Sequence, residues 1–324
     1  MFKNLLKFTI TAVIILAGGL AVIRHEDIID WWLLRGYEPS PAIVALAQDT
    51  TMTDVGRRYF YVYDPQLLGR DNFWQQCTVV EASIVLGCYV SRQGIYIYDV
   101  EDEQLSGIRQ VTAAHEMLHV AYERLSTSER ERIDALTRDV HESLNNQRVL
   151  DTVQAYAERD SSVVPNELHS ILATETRTLP EELETYYAQY FEDRLQVVAF
   201  SERYASVFED ARERVEQLDQ QLRDRRQEIS SLQDDLQVRA SSLESQRAEL
   251  NQVLANQDTE RYNELVPVFN DAVRDYNADV ARLGSLIDTY NQLVSERNNA
   301  ASAQEQLVES IDSRPEIIEP KDNE

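Results

Sequence analysis

The chain has 324 residues, of which 57 are acidic and 31 are basic, and its formal net charge is -26. Binding to nucleic acids needs clustered lysine and arginine side chains that neutralise phosphates, so this charge balance argues against a nucleic-acid partner. The length is enough for one or two globular domains, and a hydrophobic content of 43% is compatible with a packed core.

Residues 1–37 predict an N-terminal membrane anchor with a juxtamembrane segment. Residues 8–23 have no charged side chain, and Lys3 and Lys7 precede them. Such a run is close to the shortest that spans a bilayer, and the lysines place the N-terminus in the cytoplasm. We therefore expect a retained signal anchor, with the bulk of the chain extracytoplasmic. Removal of the run as a cleaved signal peptide is the alternative.

The only two cysteines, Cys77 and Cys88, bracket a strand-like segment. A disulfide between them would close a hairpin or loop, and two unpaired buried thiols are the alternative. A zinc site built on them is not expected, because the chain has no CxxC pair.

Residues 38–195 begin with three β-rich runs. These are YFYVYD (59–64), the segment 79–90 and GIYIYDV (94–100). YFYVYD is aromatic and alternating, and in GIYIYDV isoleucines alternate with tyrosines, as in strands with one buried face. We expect these runs to form a small antiparallel sheet.

The rest of this segment predicts helices. After Ser106, apolar residues recur at helical spacing in Val111, Ala114, Leu118 and Ala121. The sequence STSE (126–129) has the spacing of a capping box and begins a second helix. Further helices begin at Pro165 and Pro180. The expected domain is therefore mainly helical.

Beyond about residue 200 the chain repeats in heptads. Apolar residues recur at a spacing of seven in Phe208, Val215, Leu222, Ile229, Leu236, Leu243 and Leu250. After a break at 256–259, a second repeat carries Tyr262, Phe269, Tyr276, Leu283 and Tyr290, with a stripe of Val266, Val273, Val280, Ile287 and Val294. Two arms of similar length around a short break predict an antiparallel coiled-coil hairpin over residues 196–311. A parallel dimer is the alternative.

The sequence HEMLH (115–119) carries the strongest chemical signal. On a helix, a spacing of four puts the imidazoles of His115 and His119 on one face, about 6 Å apart along the axis. That separation suits two ligands of one zinc ion. Glu116 lies beside this face, where it can take a proton from a metal-activated water and pass it to a leaving amine. The pattern predicts a zinc hydrolase.

A zinc site of this kind needs a third protein ligand. Glu123 lies about 12 Å from His115 along the same helix, which is too far. The best candidate is Glu167, on a separate helix, and Glu175 on that helix is the alternative. His169 is a candidate donor to the tetrahedral oxyanion, with a purely structural role as the alternative.

HEMLH followed by NELHS (166–170) resembles the gluzincin class of zinc metallopeptidases, whose thermolysin-like members carry HExxH and then N-E-x-x-S-D. Together with the apolar N-terminal run, residues 55–195 also resemble membrane-associated bacterial gluzincins. The resemblance implies a zincin-like fold and one Zn²⁺ ion held by His115, His119 and Glu167, with Glu116 as the general base.

The chain departs from that pattern at Ile171, where those members carry an aspartate that supports a ligand histidine. Ser170 or Glu175 is expected to take over this support. The class places an edge strand before the HExxH helix, so the resemblance also implies that GIYIYDV (94–100) binds extended peptide by strand addition.

We therefore expect an α+β protein with a mainly helical zincin-like domain (38–195), a coiled-coil hairpin (196–311) and a disordered acidic tail (312–324). The expected function is a membrane-anchored zinc metalloendopeptidase that hydrolyses peptides or proteins. The hairpin is expected to self-associate or to bind a coiled-coil partner. The alternative is an anchored coiled-coil scaffold with a catalytically silent peptidase-like domain. A zinc hydrolase of non-peptide amides is the second alternative.

Overall fold

The computed structural model describes residues 25–77 and 84–314. They form two compact units. Unit 1 contains the chain up to Val207 and resumes at Glu309, and unit 2 contains Phe208–Val308. Each unit is considered by itself below.

The described residues are mainly helical, with one small sheet. The helices are α1 (His25–Leu33), α2 (Pro41–Asp49), α3 (Asp54–Tyr61), α4 (Arg70–Gln76), α5 (Ile108–Glu123), α6 (Thr127–Ser143), α7 (Gln147–Arg159), α8 (Val164–Glu175), α9 (Glu181–Tyr187), α10 (Arg194–Ala255) and α11 (Thr259–Ile311). The strands are β1 (Gln66–Leu68), β2 (Gly87–Val90) and β3 (Gly94–Tyr98). The predicted α+β class with a mainly helical chain is confirmed.

The sheet has the order β1-β3-β2 and is mixed, so the expected antiparallel sheet is wrong. β1 pairs with β3 in parallel, with Leu67 opposite Ile97. β2 pairs with β3 antiparallel, with Gly87 opposite Ile97. The expectation that GIYIYDV forms an edge strand is wrong, because β3 has a neighbour on both sides. The edges of this sheet are β1 and β2, and both strands precede the HExxH helix.

The run YFYVYD (59–64) was predicted to be a strand, and this is wrong. Thr53 lies upstream of the run and caps α3 by accepting a hydrogen bond from the Gly56 amide at 3.1 Å. The helix that begins there continues to Tyr61 and buries Phe60 completely. An N-cap residue outside the run therefore overrides the strand preference of its aromatic residues.

Helix α5 lies in the middle of the core of unit 1. Its predicted apolar stripe is buried, at 5% exposure or less, in Val111, Ala114, Leu118 and Ala121. Helices α2, α3 and α8 and strands β2 and β3 pack around it. His115 leaves the helix on another side and keeps a side-chain exposure of 16%. The HExxH face is therefore held by a rigid, buried helix.

In unit 2, the long helices α10 and α11 form an antiparallel hairpin. Ion pairs between the two helices join Arg214 to Glu296 at 3.3 Å, Arg239 to Asp279 at 2.6 Å and Arg261 to Glu249 at 3.1 Å. As the residue number on α10 increases, the number of its partner on α11 decreases. This is the pairing of antiparallel helices. The helices are separated at residues 256–258, within the predicted break.

The apolar stripe predicted on α11 is only partly in the seam between these helices. Val280 and Ile287 are 44% and 37% exposed, whereas Leu286 is buried at 9%. Asp279 occupies the seam beside Val280 and pairs with Arg239. In this part of α11 the second seam position therefore follows the aromatic residue by three positions and not by four. The polar residue Arg239 thus has its partner within the same chain.

The prediction of an N-terminal membrane anchor is corrected. Within residues 25–77 and 84–314, every helix is too short or too polar to span a bilayer. α1, from the predicted juxtamembrane segment, has nine residues and carries Glu26, Asp27 and Asp30. It is docked on unit 1, because Asp30 is 1% exposed and accepts a hydrogen bond from Arg124 at 2.6 Å. The prediction of a membrane-anchored, extracytoplasmic chain is wrong on this finding, and the run 8–23 lies outside the described residues.

Candidate metal centre

Helix α5 presents a group that is close enough to bind a metal ion. One ligand atom from each of His115, Glu116 and His119 lies within 4.8 Å of the others. The two imidazole rings meet edge to face, with centroids 4.6 Å apart. The spacing of four along a helix therefore converges both rings, as the sequence predicts.

Glu167 on α8 joins this group from a separate helix. Its Oε2 atom lies 3.4 Å from His115 Nε2, and its Oε1 atom lies 3.7 Å from His119 Nε2. The Oε2 atom is buried and has no hydrogen-bond partner. A buried carboxylate oxygen without a donor is costly unless a positive charge faces it. A cation between these three side chains would supply that charge, so the residues fit a metal ion.

The protonation state of Glu167 suits a ligand. Burial raises the pKa of its carboxyl, but the close approach of His115 and the positive charges of His119 and His115 in their protonated forms lower it more, so that the pKa lies below its ordinary value. The group is therefore an ionised carboxylate at neutral pH. Two imidazoles and one carboxylate form a mixed nitrogen and oxygen donor set, which zinc accepts.

The other nitrogen of His119 is held by α8. His119 Nδ1 lies 3.0 Å from Asn166 Oδ1 and 3.3 Å from Ser170 Oγ. An amide oxygen only accepts, so Nδ1 carries the proton and donates it to Asn166. The lone pair of His119 is then on Nε2, which faces Glu167. Such partners of a ligand histidine fix its tautomer and ring orientation.

Ser170 therefore supports His119 as expected, whereas Asn166 was not recognised from the sequence. Its signal was the first letter of NELHS, one position before the ligand candidate. Glu175, the alternative ligand, forms an ion pair with Arg148. That contact engages the Glu175 carboxylate with Arg148 and leaves Glu167 as the better supported candidate for the third ligand.

His169 does not take the catalytic place considered for it. It is fully buried, its Nε2 lies 2.9 Å from the Tyr186 hydroxyl, and the rings of Tyr122 and Tyr187 pack against it. Burial, together with the neighbouring His119 and His115, lowers the pKa of His169 to about 3. A neutral side chain with no exposure does not reach a substrate. The expected oxyanion role is wrong, and His169 is part of the core.

The metal group opens into a cleft of about 560 Å³. β2 contributes Gly87 and Tyr89 to its wall, and α7 and α8 contribute Arg159 and Glu167. A smaller cavity of about 130 Å³ adjoins it beside Glu116. An extended chain lying along β2 would therefore pass the metal group.

Gly87 allows β2 to lie directly against Glu116. A Cβ atom at this position would be 2.7 Å from Glu116 Oε1 and 2.5 Å from Thr112 Cγ2. Both distances are shorter than any ordinary contact, so only glycine fits without displacement. The sequence reasoning missed this residue. The available signal was a glycine inside a strand pattern, which marks a close approach of the backbone.

Cys77 and Cys88 form a disulfide, with Cα atoms 6.0 Å apart. The bond is one of the two outcomes that the sequence left open. Cys77 follows α4 and Cys88 follows Gly87 on β2. The disulfide therefore ties the wall of the cleft to the body of unit 1.

The identity of the site depends on this geometry alone. No protein-family model, curated protein or solved structure matches this chain.

Proposed function

We propose that the chain is a zinc-dependent metallopeptidase and that unit 1 is a zincin-like domain of the gluzincin type. The observation that carries the proposal is the position of Glu167. Its carboxylate oxygens lie 3.4 and 3.7 Å from the Nε2 atoms of two histidines presented by one helix. Two histidines and one glutamate beside an open cleft are the donor set of catalytic zinc sites, which keep one position for water or substrate.

One Zn²⁺ ion would be held by His115, His119 and Glu167. Zinc supplies a Lewis acid that polarises a carbonyl and lowers the pKa of water. Asn166 and Ser170 keep His119 in the tautomer whose Nε2 is free to bind. Because all of these groups belong to α5 and α8, the ligands are positioned by two packed helices and not by loops.

Glu116 is the general base in this proposal. It follows His115 on α5, is 4% exposed, and contacts β2 at Gly87. It therefore lies between the metal ligands and the wall along which a substrate would run. A carboxylate there can take a proton from the attacking water and give it to the leaving amine.

The substrate is an extended peptide segment. Within the part of the chain described, β2 pairs with β3 and with no other strand, and its residues Gly87, Cys88 and Tyr89 line the cleft. A peptide can add to such an edge through its backbone, which gives affinity with little sequence preference. Peptide hydrolysis therefore fits the cleft better than hydrolysis of a small amide.

The first test is the metal content of the full-length chain, measured by mass spectrometry, beside cleavage of a mixed peptide library. We expect about one zinc per chain in the wild type and in Glu116→Gln, and loss of zinc in His119→Ala. Cleavage is expected in the wild type alone. His141→Ala is the matched control, because His141 lies on α6 away from the group.

Two results would contradict the proposal. A folded wild type that binds no zinc when zinc is offered would remove the metal centre. Zinc at one per chain without cleavage of any peptide would favour the alternative, a coiled-coil scaffold with a silent domain.

A further inference from the structure

The chain returns to unit 1 after the hairpin. Glu309 and the residues after it belong to unit 1, and residues 309–314 are held there by hydrogen bonds that include the following. The carbonyl of Glu309 accepts from Arg70 Nη2 at 3.0 Å, and Ser310 Oγ donates to Asp102 Oδ2 at 3.2 Å. Ser313 Oγ donates to the carbonyl of Val85 at 2.7 Å. Residues 312–314 were predicted to belong to a disordered tail, and this is wrong, because Ser313 is 1% exposed.

Val85 lies two residues before Gly87, at the entry to β2. Successive carbonyls of an extended chain point to opposite sides. The carbonyl of Leu86 accepts a hydrogen bond from the amide of Tyr98, the last residue of β3. The carbonyl of Val85 accepts from Ser313 instead. The entry to β2 is therefore held by the sheet on one side and by the C-terminal segment on the other.

We propose that Ser313 is a positioning residue for Glu116, which it controls through strand β2. The proposal rests on the proposed peptidase function. The connection is short: Ser313 binds the carbonyl of Val85, and Gly87, two residues on, leaves no room for even a Cβ atom next to Glu116 Oε1. If the entry to β2 moves, the space around the Glu116 carboxylate changes with it.

The metal ligands lie outside this connection. His115, His119 and Glu167 belong to α5 and α8, and Ser313 contacts the segment before β2. Loss of the Ser313 hydroxyl is therefore expected to alter the general base and leave the metal in place. A residue that only stabilised the fold would not separate these two effects.

The experiment compares full-length wild type with Ser313→Ala and Ser313→Thr. Ser206→Ala is the matched control, because the Ser206 hydroxyl also donates to a backbone carbonyl, that of Arg203 at 2.9 Å, within its own helix. Three quantities are measured for each: zinc per chain, kcat and KM on a cleaved peptide, and hydrogen exchange of the amides of residues 84–90.

We expect Ser313→Ala to exchange the 84–90 amides about tenfold faster, as for the loss of one hydrogen bond. We expect kcat to fall about tenfold, since small misplacement of a catalytic group is costly, at unchanged zinc content. Ser313→Thr keeps the hydroxyl and is expected to restore both values. Ser206→Ala is expected to match the wild type.

Unchanged exchange at 84–90 in Ser313→Ala would overturn the proposal. So would faster exchange with an unchanged kcat, or a fall in kcat that follows loss of zinc. A wild type without peptidase activity would refute the proposed function. In that case the exchange measurement alone still decides whether Ser313 holds β2.

Discussion

The substitution Gly87→Ala tests the placement of the general base most directly. Gly87 does not have a positive φ, so the backbone accepts alanine and the conflict is steric. The new Cβ atom would lie 2.5 Å from Thr112 Cγ2 and 2.7 Å from Glu116 Oε1. Carbon atoms pack best at about 3.5–4.0 Å, so the added methyl group requires a displacement of roughly 1 Å.

That displacement falls on Glu116 or on β2, because the buried Thr112 side chain is held by its hydroxyl, which donates to the carbonyl of Ile108 at 2.8 Å. A catalytic group misplaced by about 1 Å costs about 10²-fold in rate. We therefore expect kcat/KM of Gly87→Ala to fall about 10²-fold, with zinc content unchanged. Overpacking is expected to lower the free energy of unfolding by about 1–3 kcal/mol, which a thermal melt would follow.

Gly69→Ala is the matched control for this substitution. Gly69 also lacks a positive φ, and a Cβ atom there would meet no atom within 4 Å. It is expected to keep the activity of the wild type. A folded Gly87→Ala chain with wild-type kcat/KM, measured on the same peptide, would refute the placement of Glu116 against β2.

The remaining predictions concern the supports of the site. Asn166→Ala removes the acceptor of His119 Nδ1 and is expected to weaken zinc binding about 10–100-fold in a competition titration with a chelator; equal affinity would show that Ser170 suffices. Chelation of zinc is expected to lower the melting temperature of the wild type, because a ligand bound only to the folded state stabilises it. His119→Ala should show no such shift, and a wild type that melts at the same temperature with and without chelator would contradict the metal centre. Cys88→Ser opens the disulfide and is expected to lower the free energy of unfolding by about 3 kcal/mol in a denaturant titration. A loss below about 1 kcal/mol would contradict the view that the disulfide stabilises the position of β2. Asp30→Ala leaves the mostly buried Arg124 without its main partner and is expected to cost about 3 kcal/mol in the same assay; an unchanged midpoint would mean that α1 is not held by this pair.

Local patterns predicted the parts of the molecule that local forces determine. The spacing of four in HEMLH and the buried stripe of α5 both follow from the helical period. The heptads of α10 and α11 follow from the same period over a longer stretch. Glu167 is the exception, because it lies 48 residues after His119 and was found through the resemblance of NELHS after HEMLH to the gluzincin pattern. For the helical and heptad patterns the relevant neighbours are close in sequence or repeat regularly.

Features that depend on contacts between residues far apart in the chain were not predicted from the sequence. The run 59–64 has strand-like residues, but the cap at Thr53 and the burial of Phe60 make it a helix. The order of the sheet depends on the pairing of β1 with β3, whose residues are about thirty positions apart in the chain. The role of Gly87 depends on its contact with Glu116, which lies on a different element, helix α5. A residue's type does not reveal a neighbour that only the fold brings to it.

The metal group occupies positions that a protein core would otherwise fill with apolar side chains. The side chains of His115, His119 and Glu167 are 16%, 10% and 13% exposed. Burial of a carboxylate costs several kcal/mol unless a charge of opposite sign faces it, and apolar residues of similar volume are often more stabilising. In a scaffold without a metal ion, no positive charge would offset the cost of burying this carboxylate. A cation offsets it, but a purely structural ion would not need Glu116 enclosed between the ligands and an edge strand. The burial of Glu167 therefore favours a metal ion, and the contact of Glu116 with Gly87 favours a metal ion that acts on a peptide.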